Sequence, residues 1–495
     1  MKLVIKKNRI VVILALMLVI VSLAKAQPNI AFYSFDDQFN SSDYNPAFLT
    51  SRERFTFSIF PMGGTSIGYN NQEAIGDLVS KFFSGISTDE DYKEVLKSMV
   101  DQSSFHQNIE STLLSFTYRS NVGFFNFRIR ESESFSASAG GELTRFILKS
   151  DIRSAIINQI QELPAQAVHY REYSLGYSYK SRLNRFSAGI RAKLYLGKSS
   201  FYSGLSGSIQ NESNSYVLRT SGLVNMSFPE EKELSTGGAP NFSDFNRSKV
   251  FSYLLNTGNP GFGVDLGIKY SITPDLTFSM SVIDLGKINW KSNLNSKYFD
   301  GKYMIPENSI TPTSTDGGVQ IITKNVDNFS YSDSISKLFD LTYDRSSFSR
   351  TMPLTIYAGI KYKLDPSLSI SLTNRYLSLK DISYNSFSFT ANYNINKKLS
   401  ISSGYSVIGN SYINIPVAVM LRRDFGQIYL GTDNLVSLLV PSISDYAGIS
   451  FGTCFYLFQK RDLNKSASDY LPFYKPRKIK KDKNNGRIIK AYPDS

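Results

Sequence analysis

The sequence predicts an all-β fold, a transmembrane antiparallel β-barrel, and three observations lead to this prediction. First, the 495-residue chain contains many segments of about ten residues that alternate strictly between apolar and polar side chains, as membrane-barrel strands do. Second, the N-terminus has the pattern of an export signal. Third, Phe and Tyr number 35 and 31, which suits the two aromatic girdles of such a barrel.

The alternation is clearest in four segments. A soluble β-sandwich alternates in the same way, but its strands usually have about five or six residues. Segments of ten or more residues therefore favour strands that cross a membrane. These segments are 186–197, 261–270, 367–377 and 386–395.

Sixteen segments are candidate strands, and bacterial single-chain barrels have an even number. If 201–226 forms a hairpin outside the membrane, fourteen strands remain. We predict fourteen strands, with sixteen as the alternative. If the first strand starts in the periplasm, every long connection falls on the extracellular side and the others are tight turns, as barrels require. The long connections are 61–110, 131–167, 227–259 and 291–352, the last of them a polar loop.

Three parts of these connections have helical periodicity, at 73–85, 91–100 and 142–163. Their apolar stripes predict amphipathic helices. We expect helical extracellular insertions that either pack on each other as a cap or enclose an apolar binding site.

The chain divides into four predicted parts. Residues 1–26 read as a signal peptide cleaved between Ala26 and Gln27, with an uncleaved membrane helix as the alternative. Residues 27–52 form an N-terminal hatch or plug segment, 53–458 form the barrel, and 459–495 form a basic tail. An even number of strands places both ends of the mature chain in the periplasm.

The formal net charge of +13 lies almost entirely in the signal and the tail. The nearly neutral body argues against a nucleic-acid partner, which would require a basic face on a folded module. We expect the tail to meet an anionic periplasmic surface, either the cell wall or an acidic partner, by salt-sensitive attraction. The alternative is a solvated tail with no partner.

The residues for enzyme chemistry are scarce. The chain has one Cys (Cys454) and two His (His106 and His169), and no nucleophile elbow, phosphate loop or zinc motif occurs. Each of these three residues reads better as an isolated structural residue than as a nucleophile or base. We therefore predict no enzyme activity, no cofactor and no metal.

Charged residues recur on the polar face of the strands, which faces the lumen if the apolar face meets lipid. One interpretation is an electrostatic constriction that selects anions. The other is that opposite charges pair across the barrel interior. The predicted lumen-facing residues are Arg128, Arg130, Arg191, Lys193, Asp265, Lys269, Lys361, Lys363 and Arg375, with Asp433 on the same face.

Several motifs resemble known families. Asn45-Pro46-Ala47 resembles the NPA element in the N-terminal hatch of FadL-type transporters of hydrophobic compounds. A closer resemblance, over residues 30–458, is to a Bacteroidota-type outer-membrane barrel family of unknown function. The motifs that carry it are GVDLGIKY at 263–270, FSMSVIDLG at 278–286, INW at 288–290, YAGIKY at 357–362, TANY at 390–393 and TDNL at 432–435.

The FadL resemblance implies a hatch that plugs the barrel and lateral release of apolar ligands. Residues 45–47 would then belong to the hatch. The predicted function is an integral outer-membrane barrel that binds or passes a small apolar ligand. The alternatives are a general diffusion channel and a non-transporting scaffold of a surface or secretion complex.

Overall fold

The structure is a computed structural model, and it describes the barrel and part of the N-terminal segment. The predicted signal peptide, helical insertions and basic tail lie outside the described residues. In the described part of the chain, no helix is long and apolar enough to cross a membrane. The described residues are 30–35, 38–48, 54–60, 63–71, 103–120, 123–139, 165–181, 185–212, 215–228, 253–306, 310–315, 318–323, 341–344, 346–379, 383–409, 411–439 and 446–457.

The strands in chain order are β1 (Phe55–Ile59), β2 (Thr65–Asn71), β3 (Ser103–Arg119), β4 (Phe124–Ala139), β5 (Ala165–Lys180), β6 (Phe186–Glu212), β7 (Ser215–Ser227), β8 (Asn259–Ser271), β9 (Leu276–Trp290), β10 (Ser296–Pro306), β11 (Ile310–Thr315), β12 (Gly318–Thr323), β13 (Leu341–Asp344), β14 (Phe348–Thr351), β15 (Leu354–Lys363), β16 (Leu368–Ser378), β17 (Ser383–Asn394), β18 (Leu399–Ile408), β19 (Ser411–Asn414), β20 (Val417–Arg423), β21 (Gly426–Thr432) and β22 (Tyr446–Leu457).

Seventeen of these strands form a closed antiparallel barrel of fourteen wall strands, while β11 and β12 pair with each other in a separate two-stranded sheet. Three wall strands consist of two pieces each, namely β1 with β2, β14 with β15, and β19 with β20. The barrel closes because both β1 and β2 pair with β3 on one side and with β22 on the other. The predicted all-β barrel with fourteen strands is confirmed.

The longest strand, β6, explains why fourteen is the right number. Its first part, 186–197, pairs with β8 in the wall, whereas 200–212 pairs with β7. β7 also pairs with β10, and β10 pairs with β13, so these three strands extend the sheet beyond the wall. Residues 201–226 therefore form a hairpin beyond the wall, as the fourteen-strand prediction expects.

Three predicted connections are shorter than expected, one of them 131–167, because β4 continues to Ala139 and β5 begins at Ala165. Segment 291–352 is not a plain loop, because it contains β10 to β14. Of these strands, β10 and β13 pair outside the wall, where no apolar stripe is needed to face lipid. The connection expected at 61–110 shrinks because β2 continues the first wall strand and β3 begins at Ser103.

The barrel wall is apolar on its outside and polar on its inside. In β17, Phe387 and Phe389 are 48% and 51% exposed, while the intervening Ser388 and the adjacent Thr390 are buried. A soluble protein places its apolar face in the core, so the burial pattern of this wall is inverted. The polar side chains pack against one another inside the barrel.

Tight turns join the strands at one end of the barrel. Side-chain oxygens of Thr273, Asp365 and Asn396 accept hydrogen bonds from backbone N–H groups two or three residues further along the chain. Such Asx and Thr turns stabilise short connections without a glycine. Because neighbouring strands are antiparallel, the long connections all lie at the opposite end, as the loop pattern predicts.

Candidate functional site in the barrel lumen

Residues 30–35 and 38–48, here called the lumenal segment, lie inside the barrel. The segment forms a short helix, Ala31–Ser34, and two 3₁₀ turns, Ser41–Asp43 and Pro46–Phe48. Its aromatic side chains pack on inward-facing wall residues. The Tyr33 ring stacks on Tyr357 at 4.9 Å, and the Phe32 ring meets Tyr429 edge-on at 5.1 Å. The members of this buried cluster are Phe32, Tyr33, Phe35, Tyr44, Phe48, Ile283, Tyr357, Ala418, Met420 and Tyr429.

Polar contacts hold the edges of the lumenal segment to strands on several sides of the barrel. Because the inner face of the wall is polar, the segment finds hydrogen-bond donors and acceptors on several wall strands. The contacts are Ile30 N to Asp433 Oδ2 (3.0 Å), Ser34 Oγ to Thr390 Oγ1 (2.9 Å), Phe39 N to Gln427 Oε1 (2.7 Å), Asn40 Nδ2 to Tyr429 OH (2.8 Å), and Arg191 Nη2 to Ser42 Oγ (2.8 Å).

The structure places Asn45, Pro46 and Ala47 in a turn pressed against β6 and β8. Asn45 Oδ1 accepts a hydrogen bond from Ala47 N at 2.9 Å, and Asn45 Nδ2 donates to the carbonyl of Ile268 at 3.2 Å. Proline restricts φ and asparagine caps its own turn. The three residues therefore present a preformed surface to the wall.

Wall glycines leave the space that the lumenal segment occupies. A Cβ at Gly189 would overlap the Pro46 carbonyl, and one at Gly267 would overlap the Asn45 side chain. Farther round the barrel, a Cβ at Gly359 would lie 2.7 Å from the Tyr33 ring. The wall is thus shaped to receive this segment.

The predicted lumen-facing charges fall into two groups. Arg128, Arg130, Arg191, Lys193 and Asp265 are buried and come together on the inner faces of β4, β6 and β8. The others stand apart from them: Arg375 is buried on β16, Lys269 and Lys361 are half-buried beside the lumenal segment, and Lys363 is exposed at the end of β15. Lys361 Nζ donates to the Ser34 carbonyl at 3.1 Å.

Carboxylates that the sequence analysis did not select complete the buried group. We call the assembly the ion-pair cluster; its members are Arg128, Arg130, Arg191, Lys193, Glu110, Glu172, Asp265 and Asp284. Glu172 is fully buried and accepts hydrogen bonds from Arg128 Nη2 and Arg130 Nη2, both at 2.7 Å. Lys193 Nζ lies 2.8 Å from Asp265 and 2.6 Å from Asp284. The charges therefore pair off, as the second interpretation expects.

A β-bulge brings Asp284 into this cluster. Two residues of β9, Ile283 and Asp284, lie opposite the single residue Asp265 of β8, and Asp284 has a φ of 62°. The bulge shifts the alternation by one residue. Odd-numbered β9 residues face inward before it, and Ile288 and Trp290 do so after it. Simple alternation along 276–290 could not have located Asp284.

The first wall strand is interrupted next to the lumenal segment. Five residues, 60–64, separate β1 from β2, while β3 crosses the same gap with Thr112 and Leu113. On the other side, residues 452–454 of β22 lie between the partners of β1 and those of β2, and they pair with β21. Gly64, with a φ of 111°, turns inward toward Tyr429 and Asn40. We call this interruption the wall break.

A cavity of about 60 Å³ lies between the wall break, the lumenal segment and the ion-pair cluster. This volume has room for a few water molecules. Its lining combines polar and aromatic side chains from all three parts: Asn40, Asp43, Tyr44, Gly64, Thr65, Ser66, Glu110, Thr112, Arg130, Ile283, Asp284, Thr355, Tyr357 and Tyr429.

Residues 46–433 match the model described as a family of unknown function, DUF5723. The chain belongs to this family. No curated protein matches the DUF5723 chain.

Solved structures similar to the DUF5723 barrel include hydrocarbon channels. The toluene transporter TbuX of Ralstonia pickettii has 11% identity over 84% of this chain and 92% of its own, with a TM-score of 0.35. The toluene transporter TodX of P. putida has 10% identity over 85% and 94%, with a TM-score of 0.37. A TodX mutant, titled a monoaromatic hydrocarbon channel, has 11% identity over 84% and 94%, with a TM-score of 0.40. At these TM-scores the likeness does not extend to the ligand, so toluene and monoaromatic hydrocarbons are substrates of those channels alone.

The histidines and the cysteine of the DUF5723 barrel lie apart from the lumenal segment's turn. Cys454 is buried in β22, and the His106 ring lies 6.0 Å from Tyr384. His169 Nε2 lies 2.9 Å from Glu131 Oε1, and its Nδ1 contacts the Tyr253 hydroxyl. Burial raises the pKa of the Tyr253 phenol to about 12, so the hydroxyl stays protonated. His169 thus ties the chain segment before β8 to the wall.

Proposed function

We propose that the protein is an outer-membrane transport barrel in which residues 27–52 act as a hatch. The observation that carries this proposal is the position of the lumenal segment, which contacts inward-facing residues of β4, β6, β17 and β21 and lies against Gly267 of β8. A segment that touches so many strands from within obstructs the passage between the two ends of the barrel.

The outer membrane is the proposed location because of the barrel's outer surface. Large apolar side chains are exposed on strand after strand, for example Phe262 at 67%, Leu175 at 65% and Phe389 at 51%. Such a belt is stable against lipid hydrocarbon and costly against water. With the predicted export signal and an even number of strands, both termini would lie in the periplasm.

The hatch is suited to movement because much of its seat is polar. When it leaves, hydrogen bonds such as Ser34 to Thr390 and Asn40 to Tyr429 can be replaced by hydrogen bonds to water. The aromatic cluster adds apolar burial that holds the closed state. This balance supports a gate more than a permanent core.

A small apolar ligand is the proposed cargo, and the wall break is its proposed exit. The cavity lies directly behind the break, and on the outside the break is flanked by Ile59 and Phe60, which are 48% and 52% exposed. A ligand that passes sideways here would enter the hydrocarbon of the bilayer. Only an apolar ligand gains free energy on that route.

Two other functions, a general diffusion channel and a non-transporting scaffold, are compatible with the sequence. A general diffusion channel requires an open lumen, and the position of the lumenal segment argues against it. A non-transporting scaffold is favoured by one observation, the sheet extension of β7 and β10 beyond the wall. If the protein is a scaffold, deletion of the hatch should leave the conductance unchanged.

The test is a reversible lock of the hatch. In a Cys454→Ser background, Ser34→Cys with Thr390→Cys replaces two hydroxyls that lie 2.9 Å apart across the hatch and the wall. Ser388→Cys with Ser406→Cys is the matched control, since those hydroxyls lie 2.7 Å apart within the wall. Single-barrel conductance in planar bilayers is the measurement.

We expect deletion of residues 27–52 to raise conductance, and the hatch–wall disulfide to suppress opening until a reductant is added. The disulfide within the wall should have no effect on opening. Unchanged conductance after deletion would reject the hatch and favour the scaffold.

A further inference from the structure

Asp43 of the lumenal segment reaches into the ion-pair cluster of the wall. Its Oδ1 contacts the Arg128 guanidinium and lies 3.8 Å from Arg191 Nη2. The neighbouring Ser42 hydroxyl accepts a hydrogen bond from Arg191 at 2.8 Å. The same turn therefore offers one carboxylate and one uncharged hydroxyl to two adjacent arginines.

The wall cluster is balanced in charge without Asp43. Among the described residues it contains four basic side chains and four carboxylates, which pair with one another. When Asp43 leaves, Arg128 keeps Glu172 at 2.7 Å and Arg191 keeps Asp265 at 3.3 Å. No buried cation loses its last partner, which is the event that makes breaking a buried pair costly.

Asp43 also has water-sized space beside it. Its side chain is 17% exposed and lines the cavity, whereas the Glu172 side chain is fully buried. Water in the cavity can hydrate the Asp43 carboxylate once the pair opens, which lowers the cost of separation. Salt reaching the cavity can screen the pair in the same way.

We propose that Asp43 is an electrostatic latch that keeps the hatch closed and makes its opening depend on ionic strength. This inference rests on the proposed hatch function. The arginines of the wall are permanent members of a neutral cluster, and Asp43 is the additional carboxylate that engages and releases them. The Asp43 carboxylate holds the hatch in its docked position, and loss of this charge releases the hatch without unfolding the wall.

The experiment compares opening of full-length barrels in planar bilayers from low to high KCl. Asp43→Asn removes the charge and keeps the size, while Asp43→Glu keeps the charge. Ser42→Ala is the matched control, because it removes the uncharged contact of the same turn. The deletion of residues 27–52 is measured alongside, and folded barrel is verified for each variant by its heat-dependent gel migration.

We expect Asp43→Asn to raise the open fraction at low salt by roughly tenfold, the effect of losing one hydrogen bond between two ionised groups. Asp43→Asn should also weaken the dependence of the open fraction on salt. In the native protein, the open fraction should rise with the KCl concentration. The Glu variant should retain the salt dependence, and Ser42→Ala should change the open fraction little.

The outcomes separate the two proposals. If the deletion opens the barrel but Asp43→Asn keeps native opening and native salt dependence, the latch is wrong and the hatch stands. Equal opening by Asp43→Asn and Ser42→Ala also rejects the latch, since charge would then have no special role. If the deletion itself leaves conductance unchanged, the proposed function fails, and the latch with it.

Discussion

At the scale of single residues, the side of the wall decides which chemistry a position tolerates. Phe387 faces outward and is 48% exposed, while its neighbour Ser388 is buried and accepts a hydrogen bond from Ser406 at 2.7 Å. The alternation of 386–395 places Ser388 on the polar face. The structure shows a close hydroxyl contact there, so position 388 has no room for a large side chain.

Phe387→Arg tests the facing of the wall, with Phe387→Leu at the same position as the control. If the outer face meets lipid, the Arg variant should lose roughly 2–4 kcal/mol of folding free energy near the bilayer midplane, and the Leu variant much less. Urea titration in lipid vesicles, followed by the fluorescence of the buried and sole Trp290, gives both values. Equal stabilities would show that position 387 does not face hydrocarbon.

At the scale of elements, the lumenal segment and the wall strands fit each other through glycines. The turn of Asn45, Pro46 and Ala47 lies against Gly189 of β6 and Gly267 of β8, where side chains would collide with it. A β-strand gains stability from larger residues. Glycine at these wall positions therefore favours the docked segment at some cost to the strand.

Gly189→Ala should displace the hatch and leave the wall intact. Its Cβ would overlap the Pro46 carbonyl and lie 2.7 Å from Ala47 N, so the turn has to move. Gly176→Ala on β5 is the control, because its Cβ would meet its nearest neighbours at 3.6 Å, an ordinary contact. We expect several-fold more frequent opening in planar bilayers for the first variant only. Native opening of Gly189→Ala would mean that the turn is not held against β6.

At the scale of the whole molecule, closure of the barrel brings the first and last strands together at the wall break. The cavity, the lumenal segment and the ion-pair cluster all border this seam. The chain then leaves β22 at Leu457, at the same end as the tight turns. In the proposed orientation this end of the barrel faces the periplasm.

Removal of the tail after Phe458 should leave a folded barrel and reduce binding to an anionic surface. The tail is rich in Lys and Arg, and such attraction is strong at low salt and screened at high salt. Co-sedimentation with purified cell wall at low and high salt, for full-length and truncated protein, measures it. If both forms sediment alike at low salt, the tail has no cell-wall role.

The sequence by itself determined the class of fold, because period-two alternation over ten residues is a local property of each strand. Segment 386–395 shows this, since its apolar and polar faces are readable without any neighbour. It also selected Asn45-Pro46-Ala47 and the arginines on the polar strand face for study, because these depend on short motifs and on strand parity. Parity separated long connections from tight turns for the same reason.

Only the tertiary structure decided which strands close the wall and which charges meet. The alternation of β6 shifts by one residue at a register irregularity opposite His169 and Tyr170, and the different partners of its two halves, β8 and β7, become visible only when strands pair. Asp284 enters the ion-pair cluster through a bulge opposite Asp265, and Asp43 reaches Arg128 from 85 residues away in sequence. Such contacts arise from the register between distant strands, which no local pattern of polarity encodes.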